Sequence, residues 1–95
     1  MRVKVELFSF FRLIAKCKEV EIEIDRESCS FLDVIKELNI RLGEDFVEKI
    51  GSKIENKDLQ SLVFVNGVNL AQKDGLHTII PDGSNIRFLP PMGGG

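Results

Sequence analysis

The stretch SFLDVIKELNIRLG, residues 30–43, contains the clearest helix signal of the chain. Ser30 stands three residues before Asp33, which is the spacing of a capping box at a helix N-terminus. The apolar residues recur at the spacing of one helix face: Phe31, Val34, Ile35, Leu38 and Leu42. Gly43 stands where a left-handed C-terminal cap belongs. The stretch therefore predicts an amphipathic helix of about three turns.

Two segments before this helix alternate apolar and charged residues with the period of a half-buried strand. Val3, Val5 and Leu7 share one face of the first, and residues 19–24 repeat the pattern with three glutamates facing solvent. We predict that the two strands pair as an antiparallel hairpin. Their connection, residues 9–18, is unusually apolar for a loop, so we expect part of it to pack under the sheet or to contact a partner.

The segments after this helix predict, in order, a second helix, a loop and a strand that ends in a turn. A second, shorter helix is predicted at residues 44–50, and the charged residues 52–58 are interpreted as a surface loop. At residues 62–65 the pattern again has the two-residue period of a strand. Asn66 and Gly67 then suit a type I′ hairpin turn, because both central residues of that turn need positive φ.

The remaining segments complete a sheet. Residues 76–80 and 85–89 are predicted strands, separated by a turn at residues 81–83. One helix packed across one face of a mixed sheet is an α+β arrangement of the β-grasp, or ubiquitin-like, type. Its first and last strands can lie side by side at the centre. We predict one β-grasp domain over residues 1–89 and a flexible C-terminal tail over residues 90–95.

Length and composition narrow the function classes. The chain has 95 residues, 43% of them hydrophobic and 29% charged, and a formal net charge of -2. A chain of this size forms one core with little room for an enclosed active site. The acidic balance, and aromatic residues that are all phenylalanine, argue against a nucleic-acid partner. No apolar run is long enough to cross a membrane and no secretory signal is evident, so we expect a cytoplasmic protein without a membrane partner.

Few side chains suit metal or nucleophilic chemistry. Cys17 and Cys29 form no CxxC pair and are interpreted as free thiols in a reducing compartment. His77 is the single histidine, so we predict no zinc site. We interpret His77 as an exposed strand residue, because no third group is evident that would orient a Cys-His catalytic pair.

The last six residues, PPMGGG, differ in character from the rest of the chain. Pro90 and Pro91 cannot donate ladder hydrogen bonds, so they end the last strand and hold the chain in an extended path away from the sheet. Three glycines then carry the main-chain carboxylate through a segment that has no side chains, with a reach of roughly 10 Å. Such a terminus can enter a narrow channel as a substrate that a partner activates with ATP. The alternative interpretation is a frayed chain end.

The chain resembles the MoaD/ThiS sulfur carriers and the ubiquitin-like modifiers related to them. The resemblance covers nearly the whole domain and rests on the capped helix and on these segments: Val5-Glu6-Leu7-Phe8 with Arg12 four residues on, Val65-Asn66-Gly67, Pro81-Asp82-Gly83 and the ending FLPPMGGG at residues 88–95. The Phe-x-Pro-Pro-x-x-Gly-Gly ending is more similar to the small subunit of molybdopterin synthase than to the thiamine-pathway carrier.

The resemblance implies a mechanism centred on Gly95. An adenylyltransferase of the ubiquitin-activating-enzyme type would adenylate the Gly95 carboxylate with ATP, and a sulfurtransferase or cysteine desulfurase would supply the sulfur that turns it into a thiocarboxylate. Gly93 and Gly94 would thread into the large subunit of molybdopterin synthase, which carries the catalytic side chains. The chain would bind no cofactor and would be inert alone. The partner-facing edge would consist of the residues beside the tail: Phe88, Leu89, Pro90, Pro91 and Met92. For Phe88 the alternative is a place in the core.

Several alternatives are open at this stage. In a ubiquitin-like modifier, Gly95 would be joined to lysines of target proteins instead of receiving sulfur. A thiamine-pathway carrier would use the same terminal chemistry, and a β-grasp binding module with an incidental tail would use none. Arg12 recurs after the first strand in the family, and the simplest interpretation of its side chain is a surface ion pair.

Overall fold

The computed structural model describes residues 1–91. The predictions for Met92, Gly93, Gly94 and Gly95 lie outside these residues. Within residues 1–91, no helix is both long enough and apolar enough to cross a membrane.

A five-stranded mixed sheet forms one layer of the fold. The seven strands, in chain order, are β1 (Arg2–Leu7), β2 (Glu19–Glu23), β3 (Cys29–Ser30), β4 (Val63–Val65), β5 (Val68–Asn69), β6 (Ile79–Ile80) and β7 (Asn85–Phe88). The main sheet has the spatial order β2-β1-β7-β4-β5. The pairing of β1 with β7 is parallel and the other pairings are antiparallel. Both the predicted hairpin and the adjacent first and last strands are therefore confirmed.

Residues 1–91 also form four α-helices: α1 (Phe10–Ala15), α2 (Phe31–Leu42), α3 (Glu44–Lys49) and α4 (Lys57–Gln60). The capping box at the start of α2 is complete, because Asp33 N donates to Ser30 Oγ (3.3 Å) and Ser30 N donates to Asp33 Oδ2 (3.0 Å). Gly43 ends the helix with a φ of 84°. The predicted α+β, β-grasp fold with one main helix is confirmed, and so is the short second helix.

The segment between the first two strands is a helix where we expected a short connection. Phe11 and Ala15 of α1 are both buried, and residues four apart lie on the same side of a helix. Burial of this side against the core therefore stabilises a turn and a half of helix that has no side-chain cap. The expectation that part of this segment packs under the sheet is confirmed.

Two further predictions of local structure were correct only in part. The predicted surface loop at residues 52–58 contains a 3₁₀ turn (Gly51–Lys53) and buries Ile54, so an apolar contact orders a charged segment. The predicted strand at residues 76–80 begins in a 3₁₀ turn (Gly75–His77), where local hydrogen bonds replace a ladder. His77 is exposed, as expected, but lies in that turn. Only β6 is extended, and it pairs with β3 outside the main sheet.

Phe88 lies at the centre of the hydrophobic core. Its side chain is 0% exposed, and its ring centroid lies 5.4 Å from that of Phe11 and 6.5 Å from those of Phe31 and Phe46. These rings come from α1, α2 and α3, so Phe88 joins the helices to the central strand. The structure thereby corrects the prediction of Phe88 as a partner-facing residue, because a fully buried ring cannot contact a partner.

Replacing Phe88 and its neighbour Leu89 separately tests this division between core and surface. Phe88→Ala removes a fully buried ring, so we expect the free energy of unfolding to fall by about 3–5 kcal/mol. Leu89→Ala removes a half-buried side chain and should lower it by about 1 kcal/mol. Urea denaturation followed by circular dichroism measures both, and equal losses would contradict the assignment.

The capping box should make stability depend on pH. The hydrogen bond from Ser30 N lowers the pKa of the Asp33 carboxyl in the folded protein. A carboxyl with a lowered folded-state pKa stabilises the fold above its unfolded-state pKa, and this stabilisation is lost as the pH falls through the folded-state pKa. We expect Asp33→Asn to lose roughly 1 kcal/mol of unfolding free energy at about pH 7 and to approach the wild type at about pH 2.5. A loss in urea denaturation that does not change with pH would argue against this account.

Candidate functional site

The described chain leaves the sheet from the end of its central strand. Because β7 runs parallel to β1, the carboxyl ends of both strands lie at the same end of the sheet. Backbone hydrogen bonds fix this end on both sides: Phe8 N donates to Phe88 O (3.1 Å), and Leu89 N donates to Leu62 O (2.8 Å). Half-buried Pro90 follows directly. The exit from the sheet therefore starts at a strand that is held by neighbours on both sides.

Leu89 belongs to the face of the sheet opposite α2. Side chains alternate along a strand, so burial of Phe88 on the inner face turns Leu89 to the outer face. Phe8 follows buried Leu7 in the same way, and Phe64 stands between buried Val63 and Val65. Phe8, Phe64 and Leu89 are all half-buried. We call these three residues the outer-face patch.

The outer-face patch adjoins a shallow groove of about 290 Å³. The residues that line the groove are Phe64, Asn66, Gly67, Asn85, Arg87 and Leu89. The predicted type I′ turn forms one side of it, and both of its central residues have positive φ, 49° at Asn66 and 84° at Gly67. An apolar surface with a polar border of this kind is typical of a protein-docking surface.

A polar network lies beside the groove. Asn85 Nδ2 donates to Glu6 Oε1 (2.7 Å), and Arg87 Nε lies 3.5 Å from the same oxygen. The hydrogen bond from Asn85, together with the positive charge of Arg87, lowers the pKa of the Glu6 carboxyl. Glu6 therefore stays ionised at neutral pH and offsets much of the charge of Arg87 on this face.

Arg12 lies over the outer-face patch. Its guanidinium carbon is 5.9 Å from the centroid of the Phe8 ring, and its Nε donates to Leu7 O (3.2 Å). Among residues 1–91, no carboxylate forms an ion pair with Arg12. The structure thus corrects the surface ion-pair interpretation, because the partners of this cation are an aromatic ring and a carbonyl oxygen.

The structure places some of the predicted site residues together at the exit of β7, and it shows further residues that belong to the same surface. Leu89 and Pro90 are half-buried and Pro91 is exposed at the exit of β7, whereas Phe88 lies in the core. Sequence analysis assigned no role to Phe8 or Phe64. For Phe64, the available signal was an aromatic residue at a solvent-facing position of an alternating strand. For Phe8, the available signal was its position directly after such a strand.

Neither cysteine belongs to the outer-face patch. Cys29 is buried and Cys17 is half-buried, and both are free thiols. Burial raises the pKa of each thiol, so both are protonated at neutral pH. Within the described part of the chain, no three His, Cys, Asp or Glu residues come together as a potential metal site.

Comparison with known proteins identifies the family. A family model described as the ThiS family matches residues 5–95. A proposed sulfur carrier protein of Archaeoglobus fulgidus is 31% identical over 84 residues, which cover 88% of this chain and 94% of that protein. The chain therefore belongs to the ThiS family, and the resemblance to the MoaD/ThiS sulfur carriers is confirmed.

Two solved structures share the fold at somewhat lower identity. A proposed molybdopterin converting factor subunit 1 from Pyrococcus furiosus superimposes with a TM-score of 0.73 at 28% identity, covering 97% of this chain and 99% of that one. Small archaeal modifier protein 1 from Methanosarcina acetivorans superimposes with a TM-score of 0.66 at 27% identity, covering 99% and 96%. The chain is thus similar both to a molybdopterin converting factor subunit and to a protein modifier.

Replacing Arg12 tests what holds its side chain in place. Arg12→Ala removes the cation over Phe8 and the hydrogen bond to Leu7 O, so we expect the free energy of unfolding to fall by about 1 kcal/mol. Because neither partner carries a charge, the loss should be nearly the same at low salt and at about 1 M salt. Urea denaturation at the two salt concentrations measures it. A loss that disappears at high salt would indicate an ion pair instead.

Proposed function

We propose that this chain is the sulfur-carrying small subunit of molybdopterin synthase, and that the carboxylate of Gly95 is the group that carries the sulfur. The observation that supports this most directly is the direction of β7. The central strand of the sheet leads the chain to Pro90 and Pro91 beside the outer-face patch, so a partner docked on that patch would lie next to the residues from which the tail departs.

The proposed chemistry requires an activating enzyme, because a free carboxylate is a poor acyl donor. A Gly95 carboxylate oxygen attacks the α-phosphorus of ATP, and pyrophosphate leaves to give an acyl-adenylate. The outer sulfur of a persulfide on a sulfurtransferase or cysteine desulfurase then attacks the acyl carbon and displaces AMP, which gives an acyl disulfide. A second thiol attacks the donor's sulfur and forms a disulfide with it, and the bond that breaks leaves its electron pair on the acyl sulfur as the thiocarboxylate. The isolated chain offers no group for either step among its described residues, so an adenylyltransferase supplies them.

The chain's own contribution is to position the terminus. Two consecutive prolines restrict the backbone to an extended path, and glycines at 93–95 let the terminus pass where no side chain fits. Leu89, Pro90, Pro91 and Met92 would contact the large subunit together with Phe8 and Phe64. The thiocarboxylate would then meet the molybdopterin precursor inside that subunit, whose side chains carry out the dithiolene chemistry.

The similarity to the Pyrococcus furiosus structure favours the molybdopterin pathway over the thiamine pathway, and the two prolines before the glycines point the same way. We also propose a cytoplasmic location, because the free thiols of Cys17 and Cys29 suit a reducing compartment. A ubiquitin-like modifier is the second candidate, because the Methanosarcina acetivorans modifier shares the fold at 27% identity. In that case the same activated Gly95 would be transferred to a lysine.

Intact-mass spectrometry tests the terminal chemistry. After incubation with its host's adenylyltransferase, ATP and a sulfur source, the chain should show replacement of one oxygen by sulfur, located at Gly95 by fragmentation. A variant that lacks Gly94 and Gly95 should remain unmodified while its thermal unfolding midpoint stays within about 2 °C of the wild type, because the last core residue of the described chain is Phe88.

Two other outcomes would point elsewhere. If Gly95 is adenylated and then found in isopeptide bonds on lysines of other proteins, the modifier function is correct. If the wild-type terminus stays unchanged while the same enzyme modifies another carrier, Gly95 is not an acyl donor for this pathway.

A further inference from the structure

The outer side of α1 carries a second apolar surface that the site described above does not use. Phe11 and Ala15 bury one side of this helix, whereas Phe10 is 40% exposed and Leu13 is 77% exposed. Residues three apart lie on the same side of a helix, so the two exposed side chains are neighbours. We call Phe10 and Leu13 the α1 ridge.

The α1 ridge lies at the end of the sheet from which the tail departs. Phe11 N donates to Phe8 O (3.1 Å), which ties the start of the helix to the outer-face patch. The Phe10 ring is 4.2 Å from the Phe11 ring, and the Phe11 ring is 5.4 Å from the Phe88 ring. The ridge therefore lies close to the exit of β7, with the buried rings of Phe11 and Phe88 between them.

A cation lies between the two apolar surfaces. Arg12 is exposed, stands between Phe10 and Leu13 in the sequence, and reaches over Phe8. Among residues 1–91 it pairs with no carboxylate. A partner that covers this region would need apolar groups against the ridge and a carboxylate opposite Arg12 to satisfy its charge.

We propose that the α1 ridge and Arg12 form a docking surface for the adenylyltransferase that activates Gly95, an inference that rests on the proposed function for the identity of this enzyme. Four residues, 92–95, separate Pro91 from the terminal carboxylate and span at most about 13 Å. An enzyme that binds this carboxylate must therefore approach the tail exit closely, and the ridge lies close to that exit. The same enzyme is needed whether the activated terminus receives sulfur or is joined to a lysine.

A matched pair of substitutions tests the ridge. Leu13 and Ile40 are both 77% exposed and both lie in helices, but Ile40 is on the solvent side of α2, in the layer opposite the outer-face patch. We expect Leu13→Gln to weaken binding to the host's adenylyltransferase about tenfold, because the apolar contact is lost. Ile40→Gln should bind within about twofold of the wild type. Isothermal titration calorimetry measures both, and thermal unfolding checks that each variant folds.

A separate substitution tests the charged part of this surface, Arg12. Arg12→Gln should also weaken binding, and its deficit should shrink at high salt, because salt screens an ion pair across an interface. A deficit of Arg12→Gln that is independent of salt would overturn the proposed carboxylate partner.

The outcomes separate this inference from the proposed function. If the wild type becomes thiocarboxylated but Leu13→Gln binds as tightly as Ile40→Gln, the ridge is not a docking surface and the proposed function stands. If Leu13→Gln binds weakly but Gly95 of the wild type stays unmodified, the docking surface is correct and the sulfur chemistry is not. Failure of the wild type to bind the enzyme would overturn the inference itself.

Discussion

The parallel pairing of β1 with β7 is the constraint on which the rest of the structure depends. It brings the first and last strands together at the centre of the sheet, with the register Leu7 to Phe88 at their carboxyl ends. Because both strands end at the same edge, the turn into α1 and the exit toward Pro90 become neighbours. Parallel neighbours cannot be joined by a tight hairpin, so the whole of the remaining chain forms the crossover between them.

Strand alternation at the end of β7 places two consecutive residues on opposite faces of the sheet, one in the core and one at the surface proposed for docking. Phe88 points inward and contacts aromatic rings from three helices, whereas Leu89 points outward beside Phe8 and Phe64. The core therefore holds the base of the tail in place, and the surface at that base is free to be recognised. A change of one residue in the register would exchange these roles and expose the central ring.

The sequence was sufficient to predict those elements whose signals are local. The capping box at Ser30, the alternation of β1 and the positive φ required at Asn66 and Gly67 each depend on a few adjacent residues, and each prediction was confirmed. The helix α1 was missed because its stability depends on burying Phe11 against Phe88, a contact across 77 residues. Phe88 was predicted to face a partner because it directly precedes the tail in the sequence. Its actual environment depends on helices that come from distant parts of the chain and pack against it.

The dependence of α1 on tertiary contacts also explains why this helix can present apolar residues to solvent. Six residues are too few for a stable isolated helix, so the position of α1 is determined by its buried side and not by its exposed one. Leu13 is therefore free to vary with little effect on the fold, and selection for solubility alone would favour a polar residue there. A domain of this size has little room for an enclosed active site, which is consistent with the proposal that its terminus and the surface around it carry its function. Exposed apolar residues at that surface fit the docking role proposed for the α1 ridge.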